Sequence, residues 1–289
     1  MFLPLLIPLL GLLTSWPSAT PKPDKTVKTD FQQMVAAEVT FAAYGSQHSV
    51  QDAFGRFLSR AWMFSEGRFQ TGAALYANQP EKPGRLLWRP VHAGIAASGD
   101  LGFTTGPWEF HPVSTDDKPV DFGDFFTLWQ KNSAGAWEAI YDGGVSHAAY
   151  VKPTKAVWPT KYPTKLPASV DTARFHQTLL AAESAFAQRS RLSLRQAYKP
   201  VLGATEDLRL LREGQLPYIG NGARALIETS PRPVQFSLLR SGISAAGDLG
   251  YTLGYQETTP KRGFYLHVWR RTDARWLLIV EVLSPNPAG

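Results

Sequence analysis

A short stretch that occurs twice constrains this chain more than anything else in it. Ala97-Ser98-Gly99-Asp100-Leu101-Gly102-Phe103-Thr104-Thr105-Gly106 returns as Ala245-Ala246-Gly247-Asp248-Leu249-Gly250-Tyr251-Thr252-Leu253-Gly254. The segments downstream of it also keep their order. Phe125–Trp129 and then Trp137–Asp142 come in the first copy, Tyr265–Trp269 and then Trp276–Glu281 in the second. Two unrelated halves would not share this order, so the chain reads as a tandem duplication. Its 289 residues are enough for two such units, each with its own core.

Each copy opens with helical patterning. Asp30 is placed to cap a helix that begins at Phe31, after an extended segment from Pro21 to Lys28. Phe31, Met34, Val35 and Phe41 fall on one helical face, and Glu38 lies in that same stripe. In the second copy Asp171 or Thr172 caps, Phe175, Leu179, Leu180 and Phe186 form the stripe, and Glu183 interrupts it. A carboxylate on an apolar stripe needs a partner, because burying an unpaired charge is costly. A second helix follows Ser49 and Ser193, with Pro200 expected to break or kink the later one. Short apolar segments, Ala61–Phe64 and Leu208–Leu211, close at Glu66-Gly67 and Glu213-Gly214, and a third helix follows Thr71 and Asn221.

The rest of each copy reads as strands. Leu86–Ala97 and Gln235–Ala245 form long strands in which Trp88 matches Phe236. Gly99-Asp100 and Gly247-Asp248 supply turn chemistry, and two further strands close each sheet. The expected class is therefore α+β, three helices and an antiparallel sheet, twice over. The units are expected at 29–145 and 170–285. Between them, 146–169 is a connector stiffened by Pro153, Pro159, Pro163 and Pro167.

Several function classes fall away. The chain has no cysteine, which removes disulfides, thiolate metal sites and a cysteine nucleophile. Its net charge of +6 is scattered rather than gathered into a basic stripe, so no nucleic-acid partner is expected. No His or carboxylate set has metal-ligand spacing, and neither a phosphate loop nor a nucleophile elbow occurs, so no metal or cofactor is expected. The apolar run Phe2–Leu13, followed by the small and polar Thr14–Thr20, has the form of a secretory signal over 1–20. A secreted or periplasmic protein is the expectation, with no membrane span in the mature chain.

The order of elements resembles the SnoaL-like branch of the NTF2-like superfamily, and within it the DUF4440 group. In the first copy the resemblance rests on Ala36-Ala37-Glu38, Phe41-Ala42, Gly99–Gly106 and the run from Trp129-Gln130-Lys131 to Trp137. In the second it rests on Ala181-Ala182-Glu183, Phe186-Ala187, Gly247–Gly254 and the run from Trp269-Arg270-Arg271 to Trp276. It implies two cone-shaped units, each a curved sheet wrapped on helices with a pocket at its open end. Family members include isomerases, dehydratases, cyclases and proteins with only a binding role, so the fold does not choose among them.

The candidate pocket residues are Glu38, Trp88, Tyr141, Asp142, Glu183, Tyr265, His267 and Glu281. Tyr141 and Asp142 are expected to end the last strand of the first copy. Glu38 and Glu183 have two readings: buried carboxylates that accept hydrogen bonds, or general bases with raised pKa. His267 stands where Thr127 stands in the first copy, as a proton carrier or as a partly exposed sheet residue. Asp100 and Asp248 read as turn residues, the tryptophans as sheet packing. The favoured function is binding of a small apolar or amphipathic ligand, or an accessory role without catalysis. The alternative is acid–base catalysis in one pocket. Apolar residues on both faces of Phe122–Trp129 and Phe264–Trp269 imply that the two sheets meet as an intrachain pseudo-dimer.

Overall fold

The computed structural model describes residues 23–77, 79–163, 171–203, 208–229, 232–258, 261–272 and 275–284. The expected signal over 1–20 and the end of the connector, 164–169, lie outside them. The first half runs α1 (Pro23–Gln47), α2 (Val50–Phe57), β1 (Trp62–Ser65), β2 (Arg68–Thr71), α3 (Gly72–Tyr76), β3 (Arg85–Trp88), β4 (His92–Ile95), β5 (Leu101–His111), β6 (Asp121–Lys131) and β7 (Trp137–Ser146). The second repeats the order as α4 (Thr172–Ser190), α5 (Leu194–Tyr198), β8 (Arg209–Arg212), β9 (Gln215–Ile219), α6 (Asn221–Glu228), β10 (Gln235–Ile243), β11 (Leu249–Thr258), β12 (Lys261–Thr272) and β13 (Arg275–Ser284). The sheets are ordered β2-β1-β7-β6-β5-β3, with β4 also on β5, and β10-β11-β12-β13-β8-β9. The fold class is α+β, with helices covering one face of each sheet.

Two local expectations are corrected. The first helix starts at Pro23, so the segment up to Lys28 is helical where described, and Asp30 is not its cap. Val27 is buried there, which rewards extending the helix, while Asp30 pairs with Lys131 on the sheet. The long strand expected over Leu86–Ala97 is two strands, because Pro90 brings no N–H to the ladder. Pro200 behaves as expected: α5 ends at Tyr198 and the chain continues as a 3₁₀ turn over Lys199–Val201.

One irregularity occurs at the same place in both sheets. The register of β6 on β7 shifts between Leu128 and Trp129, and that of β12 on β13 between Val268 and Trp269. The extra residues are Ile140 and Ile279, which pack outward, on the side away from the helices. Each bulge resets the alternation, so Ala139 with Asp142, and Leu278 with Glu281, reach the same interior.

The outer faces share one cluster of buried side chains. Phe103, Phe126, Leu128 and Tyr141 of the first half join Leu253, Phe264, Leu266 and Val280 of the second. The duplicated turns also touch. Ala97 N–H donates to Asp248 Oδ2 (2.9 Å), and Ala245 N–H donates to Asp100 Oδ2 (3.0 Å). Asp100 and Asp248 are turn residues whose carboxylates bond the opposite copy's turn, a reciprocity typical of two-fold interfaces.

Candidate functional site

The candidate residues converge in two interiors, one in each half. In the first, Glu38 on α1 faces the sheet and is fully buried. Trp88 Nε1–H donates to its Oε1 (2.7 Å), and Thr104 Oγ1–H (2.6 Å) and Trp129 Nε1–H (3.1 Å) donate to its Oε2. Asp142 on β7 accepts from Thr127 Oγ1–H at 2.8 Å. Burial and the nearby Glu38 push the Asp142 carboxyl well above the usual carboxylate range. Burial also raises Glu38, its hydrogen bonds offsetting this only in part. Tyr76 on α3 is pushed up to about 12, by burial first and then by Asp142.

In the second interior Glu183 on α4 repeats the position of Glu38. It accepts from Thr252 Oγ1–H (2.6 Å) and from His267 Nδ1–H (3.1 Å), while Trp269 Nε1–H donates to Thr252 Oγ1 (3.0 Å). His267 Nε2–H donates to Glu281 Oε2 at 2.7 Å. The other oxygen of Glu281 takes Tyr198 and Arg212, and Arg212 Nη2–H also donates to the Tyr198 hydroxyl at 2.9 Å. Burial alone would lower His267, yet Glu183 and Glu281 outweigh it and raise the imidazole to about 9. Burial would raise Glu281, yet Arg212 and His267 bring it down to about 2. At neutral pH the His267 imidazolium and the Arg212 guanidinium therefore stand against an ionised Glu281.

The structure divides the nominated residues. Glu38, Trp88 and Asp142 share the first interior; Glu183, His267, Glu281 and Tyr265 share the second. Tyr141 does not join Asp142. The two are mid-strand neighbours, since β7 continues to Ser146, and Tyr141 points outward into the shared cluster. His267 is not a partly exposed sheet residue: its exposure is 0%. Trp129 and Trp269 pack in the sheet as expected and are also hydrogen-bond donors.

Sequence reasoning missed Arg212, Tyr198 and Tyr76. For Arg212 the signal was the comparison of copies, because Trp62–Ser65 before Glu66-Gly67 aligns with Arg209–Arg212 before Glu213-Gly214, setting Arg212 opposite Ser65. Two cavities are lined by none of the buried carboxyl groups. One, of about 360 Å³, is walled by Trp88, Trp108, Phe122 and Tyr150. The other, of about 380 Å³, lies between β4, the connector and the second sheet. Among the described residues no group of three or more His or carboxylate side chains could hold a metal ion, and no helix is long and apolar enough to cross a membrane.

No protein-family model matches this chain, and no curated protein does. Solved structures do. The chain is similar to a protein of unknown function from the DUF3225 family of Pectobacterium atrosepticum (17% identity, 41% of this chain and 96% of that one, TM-score 0.35). It is similar to an NTF2-like protein of unknown function from Silicibacter pomeroyi (12% identity, 39% and 98%, TM-score 0.32). It is similar too to an NTF2-like protein with a cystatin-like fold from Novosphingobium aromaticivorans (10% identity, 43% and 86%, TM-score 0.34).

Proposed function

We propose that this chain is an exported small-ligand-binding or accessory protein of the SnoaL-like, DUF4440 type, working without catalysis as an intrachain pseudo-dimer. One observation carries the absence of catalysis: the carboxyl and imidazole groups of both interiors are buried and hydrogen-bonded to protein side chains. Glu38, His267 and Glu281 have 0% exposure and Glu183 2%. A general acid or base must come within hydrogen-bond reach of a substrate proton. The apolar run Phe2–Leu13 before small residues supports export, and the shared outer cluster supports the pseudo-dimer.

The competing reading is an isomerase, dehydratase or cyclase of the acid–base kind. Asp142 favours it, because a carboxyl held protonated could donate to a developing oxyanion. The two readings separate on β,γ-unsaturated ketones and β-hydroxy thioesters, together with the reaction of His267 with diethylpyrocarbonate. The binding reading expects no turnover above buffer and a protected His267. Turnover that disappears in D142N or E281Q would replace it with the enzyme. Intact-mass measurement on protein recovered from periplasm or medium should show about 20 residues removed.

A further inference from the structure

The two copies treat one place on their outer faces in opposite ways. Leu87, Glu109 and Phe122 stand side by side on β3, β5 and β6 of the first half. Alternation puts Phe122 on the same face as Phe126 and Leu128, which meet the second half. The matching residues on β10, β11 and β12 are Gln235, Glu257 and Arg262. There Arg262 Nε lies 3.9 Å from Glu257 Oε1, with both side chains about half exposed. The second copy thus keeps this place polar and solvated, where the first carries a leucine and a phenylalanine.

The connector covers the apolar version without filling it. Tyr150 Oη–H donates to Asp124 Oδ2 at 2.6 Å, and Arg89 Nη2–H donates to Thr154 O at 2.6 Å, so the segment is tied at two points. Between it and the sheet lies the cavity of about 360 Å³, with Leu87, Phe122, Tyr150 and Pro153 in its wall. Close-packed proteins leave few voids of this size, and small-molecule sites fall in the same range.

The wall also fixes the class of occupant. Its charged side chains are one of each sign, Arg89 and Glu109, so it has no net charge to select an ion. Both are already engaged, Arg89 on Thr154 and Glu109 Oε1 with His111 Nε2 at 3.1 Å. The Tyr150 hydroxyl is spent on Asp124. An ion moving in would lose hydration without gaining a counter-charge, whereas an aromatic ring loses little and meets other rings.

We propose that this cavity binds an uncharged aromatic molecule of bicyclic size, packed against Phe122 and Tyr150. The site deepens the binding reading, on which it rests, and lies outside the two interiors. Turnover of the unsaturated ketones or hydroxy thioesters would overturn that reading whatever the titration below gives. Failure of the titration would remove this site and leave the question of turnover untouched.

Isothermal titration of the full chain with 2-naphthalenemethanol tests it, with 2-naphthoate and 2-naphthylmethylammonium as charged isosteres. The alcohol should bind once per chain, and each ion at least about tenfold more weakly. F122A and Y150A should each weaken the alcohol about five- to tenfold, while Y150F, which keeps the ring, should change it less than about twofold. Phe122 and Tyr150 are only half-buried and lie on different segments, so either variant carries the test if the other fails to fold. L192A removes an exposed leucine outside the cavity and should change nothing. The proposal is overturned if no saturable binding is seen, if either ion binds as tightly as the alcohol, if F122A and Y150A both bind like the parent, or if L192A weakens binding as much as they do.

Discussion

In the first half two carboxyl groups, Glu38 and Asp142, share an interior whose other polar groups are hydroxyls and indoles. In the second the matching pair, Glu183 and Glu281, lies on either side of His267 with Arg212 beside it. Two changes between the copies make the difference, Thr127 against His267 and Ser65 against Arg212. Both interiors must come close to neutral, because an unpaired charge out of water is too costly to keep. The second reaches neutrality by adding cations. The first has no cation beside its carboxyls, and burial together with Glu38 pushes Asp142 well above its ordinary range, which favours the protonated form. A duplicated fold can thus hold matching carboxyl positions whose pKa values shift in opposite directions, Asp142 up and Glu281 down.

Removing the buried guanidinium is the harshest test of this contrast. R212M should cost about 3–5 kcal/mol in urea unfolding, since it leaves Glu281 charged beside a hydroxyl and one imidazolium. The matching S65A change should stay within about 0.5 kcal/mol. Equal effects would mean that the second interior does not depend on its ion pair.

The next effect is the response to pH, which should have opposite sign in the two halves. Glu281 folds with a value of about 2, below its ordinary 4.5, so its contribution is complete above about 4.5 and lost as pH falls toward 2. His267 folds with a value of about 9, above its ordinary 6.5; its contribution is complete below about 6.5 and lost as pH rises through 9. Glu38 and Asp142 are both raised, so the folded first half holds protons more tightly than the unfolded chain, and acid favours it. Amide exchange should show α4 and β13 losing protection between pH 5 and 3 while α1 and β7 keep theirs. A parallel loss would break the comparison.

Much of this was legible in the sequence, and what was not has identifiable physical causes. The duplication, the α+β class and the two buried glutamates follow from the repeat and from helical periodicity, both local signals. Strict alternation puts Leu278 and Glu281 on opposite faces, an odd number of residues apart, and only the bulge at Ile279 returns both to one interior. The same device in the first half separates Asp142 from Tyr141 in role. Arg212 escaped because a strand-end arginine before a Glu-Gly turn looks solvated. The reciprocal bonds of Asp100 and Asp248 escaped because turn chemistry says nothing about what the turn meets.

A smaller contrast concerns neutralising single carboxyls. D142N keeps the size of a group whose carboxyl is pushed well above its ordinary range, and should cost less than about 1 kcal/mol at pH 7. E281Q strips the counter-charge from Arg212 and His267 and should cost about 3 kcal/mol. If the two costs match, Asp142 is ionised at pH 7 and the first interior is not the neutral one.

The smallest effect links an indole that the second copy lacks to a glycine. Trp88 donates to Glu38 Oε1, whereas Phe236 takes that place in the second copy and offers Glu183 no indole donor. A Cβ added at Gly45 on α1 would stand 2.4 Å from Cζ3 of Trp88, so the ring needs a glycine beneath it. The matching position on α4 is Ser190, whose hydroxyl donates to Val234 O at 2.8 Å, and there the smaller phenyl ring suffices. Gly→Ala inside a helix ordinarily stabilises by up to about 1 kcal/mol. G45A should instead destabilise by about 1–2 kcal/mol, because the methyl displaces Trp88 and opens the bond to Glu38. W88F should also destabilise, by about 1–2 kcal/mol, through the acceptor it leaves unmet. The double variant should cost less than the sum by about 1 kcal/mol, because the phenyl ring makes room for the alanine. Additive costs in urea unfolding would show that Gly45 and Trp88 act separately, and that Ser190 with Phe236 is not a coupled alternative to them.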